Sequence, residues 1–322
     1  MAEESGEREI MRRKLSYGGS IPLLGLGTFT YPIDGDSMEA SIIKAIKIGY
    51  RHLDTASLYG SEEAVGKAIK KAIANKIVKR EDIFVTTKLW CNEHHDPLSA
   101  LNSSLKRLGL EYVDSYMIHW PVKLKPWASD MVPKEDEFDE LDLETTWNHM
   151  EKCVDLGLTK TIGVSNFSSK KLLHLLDFAS LPPAVNQVEM HLMWRQRKLR
   201  EVCSSKNVHV TAYSPLGSPW NPYGLKNLLQ HPIVHSIASK HEATPAQVAL
   251  RWILSMGASA VVKSFNESRL EENMASFALK LDEQDLQEID KLEEKKMATG
   301  EFLVNATTSQ YKNIQELWDG EI

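Results

Sequence analysis

The sequence predicts a parallel (β/α)8 barrel, and three observations carry that expectation. Short apolar runs of strand character alternate with helical patterns about eight times between Leu23 and Asn273. The runs are continuously apolar, as parallel strands buried on both faces are. Each run also ends on a polar residue, and a ring of polar strand ends is what the functional face of such a barrel presents. A doubly wound sheet is the alternative arrangement for the same alternation.

The elements follow in order. Lys14 to Pro22 reads as a hairpin turning at Gly18-Gly19. Leu23 to Thr28 is a short strand ending in glycines. Asp36 and Glu39 have the spacing of a capping box, with Asp36 covering a helix start; Ile42, Ile43 and Ile46 continue at helical spacing and Gly49 stops it. Later strands end at Asp54, Lys88, His119, Ser165, Glu189, Ser214 and Ser264. Helical patterns between them include Ala64 to Ala74, Leu98 to Leu108, Leu143 to Leu156 and Pro245 to Met256. At 322 residues the chain exceeds the ~250 of a typical barrel. The surplus falls in the loop from Trp120 to Asp142, in the stretch from Pro215 to Pro232 and in a tail after Met297, all placed to reach the C-terminal face. We expect one barrel domain over 14–322, with an extended tail over the active-site face, preceded by a polar, flexible segment 1–13.

Bulk properties exclude several classes. The net charge of −6 gives no reason to expect nucleic acid or an anionic membrane as partner. No apolar run approaches a membrane span, and the acidic N-terminus lacks the apolar core of a secretory signal. Cys91, Cys153 and Cys203 are too widely spaced for a disulfide framework or a Cys-x-x-Cys metal site, and read as reduced thiols in a cytoplasmic protein.

Four polar positions carry the chemistry. Alone, Asp54 reads as a cap, Lys88 as a solvated lysine and His119 as a hydrogen-bonded structural histidine. With Tyr59, five positions beyond Asp54, they form a proton relay on adjacent strands. A free tyrosine, with a pKa of about 10, is a poor donor near pH 7. A lysine ammonium ~4 Å away favours phenolate by up to about 4 kcal/mol at an effective dielectric of 20, so Lys88 is expected to pull the phenol's pKa down. Asp54 supplies the lysine's counter-charge and His119 orients a substrate oxygen. Tyr59 then serves as general acid to an oxygen gaining negative charge, as when hydride attacks a carbonyl. No side chain delivers hydride, so a nicotinamide cofactor is implied.

The cofactor signals are separate. Gly25-Leu-Gly27 resembles the start of a dinucleotide fingerprint but lacks the third glycine and opens no helix directly, so it is rejected as one. Lys263, Ser264, Asn266 and Arg269, where a strand hands over to a helix, make an anion site suited to phosphate. Tyr213 can stack on a flat ring, and Asn166 and Gln187 can grip a carboxamide. His94-His95-Asp96 invites a metal reading, but no matching ligands stand nearby and Asp96-Pro97 reads as a helix start, so no metal is expected. Trp90, Trp120, Trp220 and Trp318 lie in loops and tail where they can wall an apolar substrate pocket; Trp147 and Trp252 fall in helices as core.

At these residues the sequence resembles the aldo-keto reductase superfamily. The matching stretches are Gly49 to Ala56 with Tyr59, Leu110 to Pro121, Gly163 to Phe167, Asn186 to Glu189, Tyr213 to Gly217 and Lys263 to Asn266. The wording from Thr87 to Asn92, Pro182 to Asn186 and Gln196 to Arg200 is most similar to the plant branch that includes chalcone reductase and codeinone reductase. The resemblance implies Asp54, Tyr59, Lys88 and His119 as the catalytic tetrad. It implies NADPH/NADP+ as cofactor, with Ser165, Asn166, Gln187 and Tyr213 at the nicotinamide and Lys263, Ser264, Asn266, Arg269 and Asn273 at the 2′-phosphate. Gly27, Thr28, Phe29, Ser214, Leu216, Ser218, Phe265 and Glu272 join that cofactor set. It further implies a small carbonyl substrate, such as an alkaloid or polyketide ketone of plant specialised metabolism, and a monomer. Departures from the family wording are Ser115, Leu192-Met193 and the loop from Pro219 to Gly224, the last two placed to shape the pocket. A non-catalytic, NADPH-sensing subunit of a larger complex is the rival, and the intact tetrad favours the enzyme.

Overall fold

The eight apolar runs pair side by side in chain order. They are Leu24–Gly27 (β1), His52–Asp54 (β2), Phe84–Leu89 (β3), Val113–Ile118 (β4), Thr159–Ser165 (β5), Val185–Glu189 (β6), His209–Tyr213 (β7) and Ser259–Val262 (β8). Every pairing is parallel, and β8 returns to β1 with Ala260 opposite Leu24, closing the sheet and leaving no edge. Closure excludes the doubly wound alternative. This computed structural model describes residues 11–219 and 224–322; most of the expected segment 1–13, and Trp220, lie outside them. No helix among the described residues is long and apolar enough to cross a membrane.

The helices form where apolar spacing and caps coincide. Helix α1 (Gly35–Ile48) is capped by Asp34, whose carboxylate accepts from the Ser37 amide at 3.2 Å. The expected cap, Asp36, lies inside the first turn instead. Both aspartates suit the positive helix end, and the backbone turns extended at Asp34. Gly49, at φ 123°, ends α1 as expected. Asp96 caps α3 (Pro97–Leu108), accepting from the Ser99 amide at 3.0 Å, so the His94-His95-Asp96 stretch is a helix entrance.

A hairpin, Arg12–Lys14 with Ser20–Pro22, seals the N-terminal end of the barrel. It starts two residues before the expected Lys14, because the Arg12 guanidinium reaches across to Ser20 Oγ at 3.0 Å. Its turn is longer than two residues: the Leu15 amide donates to the Gly19 carbonyl at 3.0 Å, with Gly18 and Gly19 both at positive φ. Leu15 and Ile21 pack against Phe84, Met117, Ala184 and Val185.

Polar residues inside the barrel hydrogen-bond to one another. His52 meets Thr86 at 3.0 Å, and Ser259 meets His209 at 2.9 Å and Thr211 at 2.8 Å. Burial pushes His52 down to about 4 and His209 to about 3, and it does the same to His94, down to about 3. Each folded-state pKa lies below that of an unfolded histidine, so the unfolded chain binds more protons once pH falls below about 6.5. Stability is therefore present above that pH and lost as pH falls toward 4, by roughly 3 kcal/mol per histidine at the end of the range. Urea midpoints measured from pH 7 down to 4 are expected to fall steeply, and a flat profile would contradict this origin.

On the C-terminal face a second apolar cluster forms from Trp90, Trp120, Val122, Phe138, Leu303, Leu317 and Trp318. The tail is fastened there. Asp319 accepts from Lys171 at 2.7 Å and from Ser168 at 2.5 Å, both at the start of α5 (Ser169–Phe178), and Glu321 accepts from the Ser169 amide at 2.9 Å.

Candidate active site

The polar strand ends converge on this face. Asp54 closes β2, and the chain turns at once through a short 3-10 helix, Ser57–Tyr59, which carries the phenol back over the strand ends. Lys88 is the penultimate residue of β3, and His119 follows β4 directly. Lys88 is fully buried, and its ammonium donates to Asp54 Oδ1 at 2.7 Å, to the Thr55 carbonyl at 3.0 Å and to Tyr59 Oη at 3.4 Å. Three partners occupy its three N–H groups. The phenol oxygen also lies 3.3 Å from His119 Nε2. The four residues singled out by sequence are thus linked in one chain of contacts, from Asp54 through Lys88 and Tyr59 to His119.

Protonation follows from burial and charge. Burial alone would lower the Lys88 pKa, but Asp54, and next the tyrosine oxygen, outweigh it and hold it above its usual value, so the ammonium stays charged. The Tyr59 phenol is raised, because burial outweighs the opposing charge of Lys88. This corrects the expected sign: Lys88 moderates the rise without reversing it, and Tyr59 rests with its proton in place. Burial, with Lys88 beside it, drives His119 well below the usual histidine range, so its ring is neutral.

The two amides are engaged with neighbouring strand ends. Gln187 donates to Asp54 Oδ2 at 2.7 Å, so both oxygens of that carboxylate are held. Asn166 donates to the His119 carbonyl at 2.9 Å and to Ser165 Oγ at 3.2 Å, and accepts from Tyr213 Oη at 2.8 Å. Ser165 in turn donates to the Gln187 carbonyl at 2.8 Å. In this structure the two amides brace the strand ends, and a carboxamide would have to exchange with these bonds. Asn166, Ser214 and Ser218 all sit at positive φ (62°, 49° and 47°), a conformation that costs a serine energy and clusters at functional sites.

The remaining residues divide between the site and its support. Thr28 is buried and donates to the Asp54 carbonyl at 2.9 Å, Gly27 pairs with Asp54 across the sheet, and the Phe29 ring, 45% exposed, lies 5.0 Å from that of Tyr59. Ser218 Oγ donates to Ser214 Oγ at 2.9 Å, and Leu216 packs half-buried on the core. Lys263 to Asn266 lead into α9 (Glu267–Ala275), which Asn266 caps by accepting from the Arg269 amide at 3.0 Å; the Asn266 amide donates to Ser264 Oγ at 3.2 Å. Lys263 lies over the Phe265 ring at 4.9 Å, and its pKa is lowered by burial and then by the charge of Arg269. Among the described residues no carboxylate ion-pairs with Lys263, so an anion bound between the two cations would relieve their repulsion. That chemistry fits a phosphate. Glu272 spends its carboxylate on Thr244 Oγ1 at 2.6 Å, and Asn273 is buried beside Tyr50, so both also hold α9 in place.

Trp90, Trp120 and Trp318 gather in the apolar cluster on this face. Trp90 stands 5.1 Å from the His119 ring, and Trp120 meets Trp318 at 5.8 Å and Phe302 at 6.0 Å. Trp147 and Trp252 are core, as their helical positions suggested. Of the departures, Ser115 is buried in β4, and Leu192 and Met193 are core residues beside the buried His191–Glu189 pair. Sequence reasoning missed Glu93, which accepts from the Trp90 amide and from Ser57 Oγ, each at 2.7 Å. Its one signal is its place three residues after Trp90 at a strand-to-helix turn, where an acid commonly caps.

Comparison with known proteins agrees with this geometry. Residues 23–294 match the Aldo/keto reductase family. The chain is 43% identical over 306 residues to (1S)-1,7-diacetoxy-luvungin A aldo-keto reductase of Citrus sinensis, covering 94% of this chain and 95% of that protein. It is 44% identical to aldo-keto reductase family 4 member C11 of Arabidopsis thaliana, covering 96% and 98%. It is 43% identical to deoxymugineic acid synthase 1 of Zea mays, covering 94% and 97%. The aldose reductase structure from Schistosoma japonicum superposes with a TM-score of 0.83 at 38% identity, covering 90% of this chain and 94% of that one. With barrel, polar strand ends and sequence in agreement, the chain belongs to the aldo/keto reductase family.

Proposed function

We propose that the protein is a monomeric, cytoplasmic reductase that converts an aldehyde or ketone of plant specialised metabolism, such as an alkaloid or polyketide ketone, to its alcohol with NADPH. The observation that carries this reading is the Tyr59 phenol oxygen, held 3.4 Å from the Lys88 ammonium and 3.3 Å from His119 Nε2. A nicotinamide cofactor bound along this face supplies the hydride. Tyr59 gives its proton to the carbonyl oxygen, the adjacent ammonium steadies the phenolate left behind, and Asp54 balances that ammonium. His119 presents Nε2 to the same oxygen and sets its direction. Lys263 and Arg269 would hold the 2′-phosphate, with Ser264 and Asn266 as neutral partners. The chain of contacts linking the four tetrad residues favours catalysis over a sensing role, and the three free, buried cysteines suit a reducing compartment. The relatives' names point to particular small molecules, which supports a specialised carbonyl substrate. Oxidation of NADPH in the presence of a generic aromatic aldehyde tests the reading, and no oxidation across a panel of aldehydes, alkaloid ketones and polyketide intermediates would sink it.

The tail forms one wall of the proposed pocket through Phe302 and Trp318. Deleting residues from Asn305 onward is expected to raise KM for bulky ketones by roughly 10-fold or more, as lost apolar pocket contacts do, and to reorder substrates. Cofactor affinity should change little. Unchanged kcat/KM for every substrate would remove the tail from the pocket.

A further inference from the structure

Behind Tyr59 and Lys88 runs a set of contacts that no proton step uses. Glu93 ends the turn Cys91–Glu93 that follows β3. One of its carboxylate oxygens, Oε2, accepts both from Ser57 Oγ and from the Trp90 amide, at 2.7 Å each. Ser57 opens the turn that carries Tyr59, and its Oγ also lies 3.2 Å from the Lys88 carbonyl. Trp90 places its ring against His119. A single oxygen therefore joins the loop of the proton donor to the loop of the pocket wall, passing behind the buried lysine. Among the described residues no cation ion-pairs with Glu93, and burial pushes its carboxyl up, against the two hydrogen bonds it accepts.

The need for such a tether is geometric. The phenol's bonds to Lys88 and His119, at 3.4 and 3.3 Å, are already at the long end of the hydrogen-bond range. The turn that aims the phenol has one backbone bond of its own, from the Tyr59 amide to the Ala56 carbonyl at 3.0 Å, and leads straight into Gly60 at φ 66°. A small rotation of that turn breaks both contacts. We propose that Glu93 is a positioning residue for proton transfer, holding the Tyr59 turn and Trp90 in register through Ser57; this rests on the reductase reading above.

The test compares Glu93→Ala, Glu93→Gln and Ser57→Ala in the full chain, with NADPH and an aromatic aldehyde across pH. Misplacing a catalytic group by about 1 Å can cost on the order of 100-fold, so Glu93→Ala is expected to lower kcat by roughly 10- to 100-fold with the NADPH dissociation constant unchanged. The alkaline limb of its kcat profile should move upward, because a phenol farther from Lys88 loses the charge that restrains its pKa. Glu93→Gln keeps a carbonyl acceptor and should restore most of kcat, while Ser57→Ala should reproduce part of the loss. A Glu93→Ala enzyme with the parent's kcat and pH profile overturns the proposal. So does one whose kcat falls equally in the Gln variant with the pH profile unmoved. If the parent turns over no carbonyl, the reductase reading fails by itself. Amide hydrogen exchange then decides the tether, since exchange over residues 57–60 must quicken in Glu93→Ala, and unchanged exchange overturns it.

Discussion

Tyr59→Phe is expected to lower kcat by about 10²–10⁴ while NADPH still binds. The substitution removes one oxygen and almost no volume. Ring contacts to Phe29 at 5.0 Å and to His119 at 5.4 Å remain available, so the wall of the site is kept. What disappears is the phenol oxygen that meets both Lys88 and His119. Lys88 keeps Asp54 and the Thr55 carbonyl, so the buried ammonium remains paired and the fold should hold. The raised phenol pKa gives the parent enzyme a signed pH dependence. Reduction needs the protonated form, so it persists from neutral into alkaline solution and declines as pH rises through that pKa. Alcohol oxidation needs the phenolate and should rise over the same range. Single-turnover kinetics in both directions, parent against Tyr59→Phe, check the assignment; a near-normal kcat in the variant would remove Tyr59 as the acid.

Replacing Arg269 by alanine is expected to weaken NADPH binding by about 10- to 100-fold, as charged hydrogen bonds are worth roughly 1.5–3 kcal/mol. NADPH differs from NADH by a phosphate carrying about two negative charges near neutral pH, like a phosphorylated side chain. Lys263 offers that group a point charge and Arg269 a planar fork. The Arg269 charge, after burial, lowers the Lys263 pKa, and an anion bound between the two would relieve that repulsion. NADH brings no such anion, so its affinity should barely move. Lys263→Ala with Arg269→Ala should nearly erase the preference, and added salt should shrink it, because the Lys263 side is half-open to solvent. Dissociation constants for both cofactors, by fluorescence quenching in parent and variants, decide the matter. Equal losses for NADPH and NADH would place these two residues away from the 2′-phosphate.

The barrel and the gathering of Asp54, Tyr59, Lys88 and His119 were legible because their signals are local. An apolar run that stops on Asp54, Lys88 or His119 states both the strand and the end that faces the site. What sequence could not supply was the outcome of competitions settled in three dimensions. Asp34 and Asp36 are equally good caps on composition, and the path of the backbone chose Asp34. The sign of the Tyr59 shift depends on how much solvent the fold removes relative to the pull of Lys88. Gln187 is a sound partner for a carboxamide on chemistry alone, yet strand closure brings it to Asp54, 133 positions away in sequence. Glu93 was passed over because its two partners belong to different loops, and only one of them is near it in the chain.

The anchoring of the tail bears on how the protein can be handled. Asp319 and Glu321 clip the chain to the start of α5, and Trp318, immediately before them, lies against Trp120, the neighbour of His119 in the chain. A purification handle or surface linker fused beyond Ile322 would therefore pull on the segment proposed to wall the pocket, and could alter substrate ranking with Asp54, Tyr59, Lys88 and His119 untouched. The hairpin plugs the other end of the barrel, against Phe84 and Val185 where their strands begin. A linker placed on the N-terminal side is the attachment that leaves the C-terminal face its native shape.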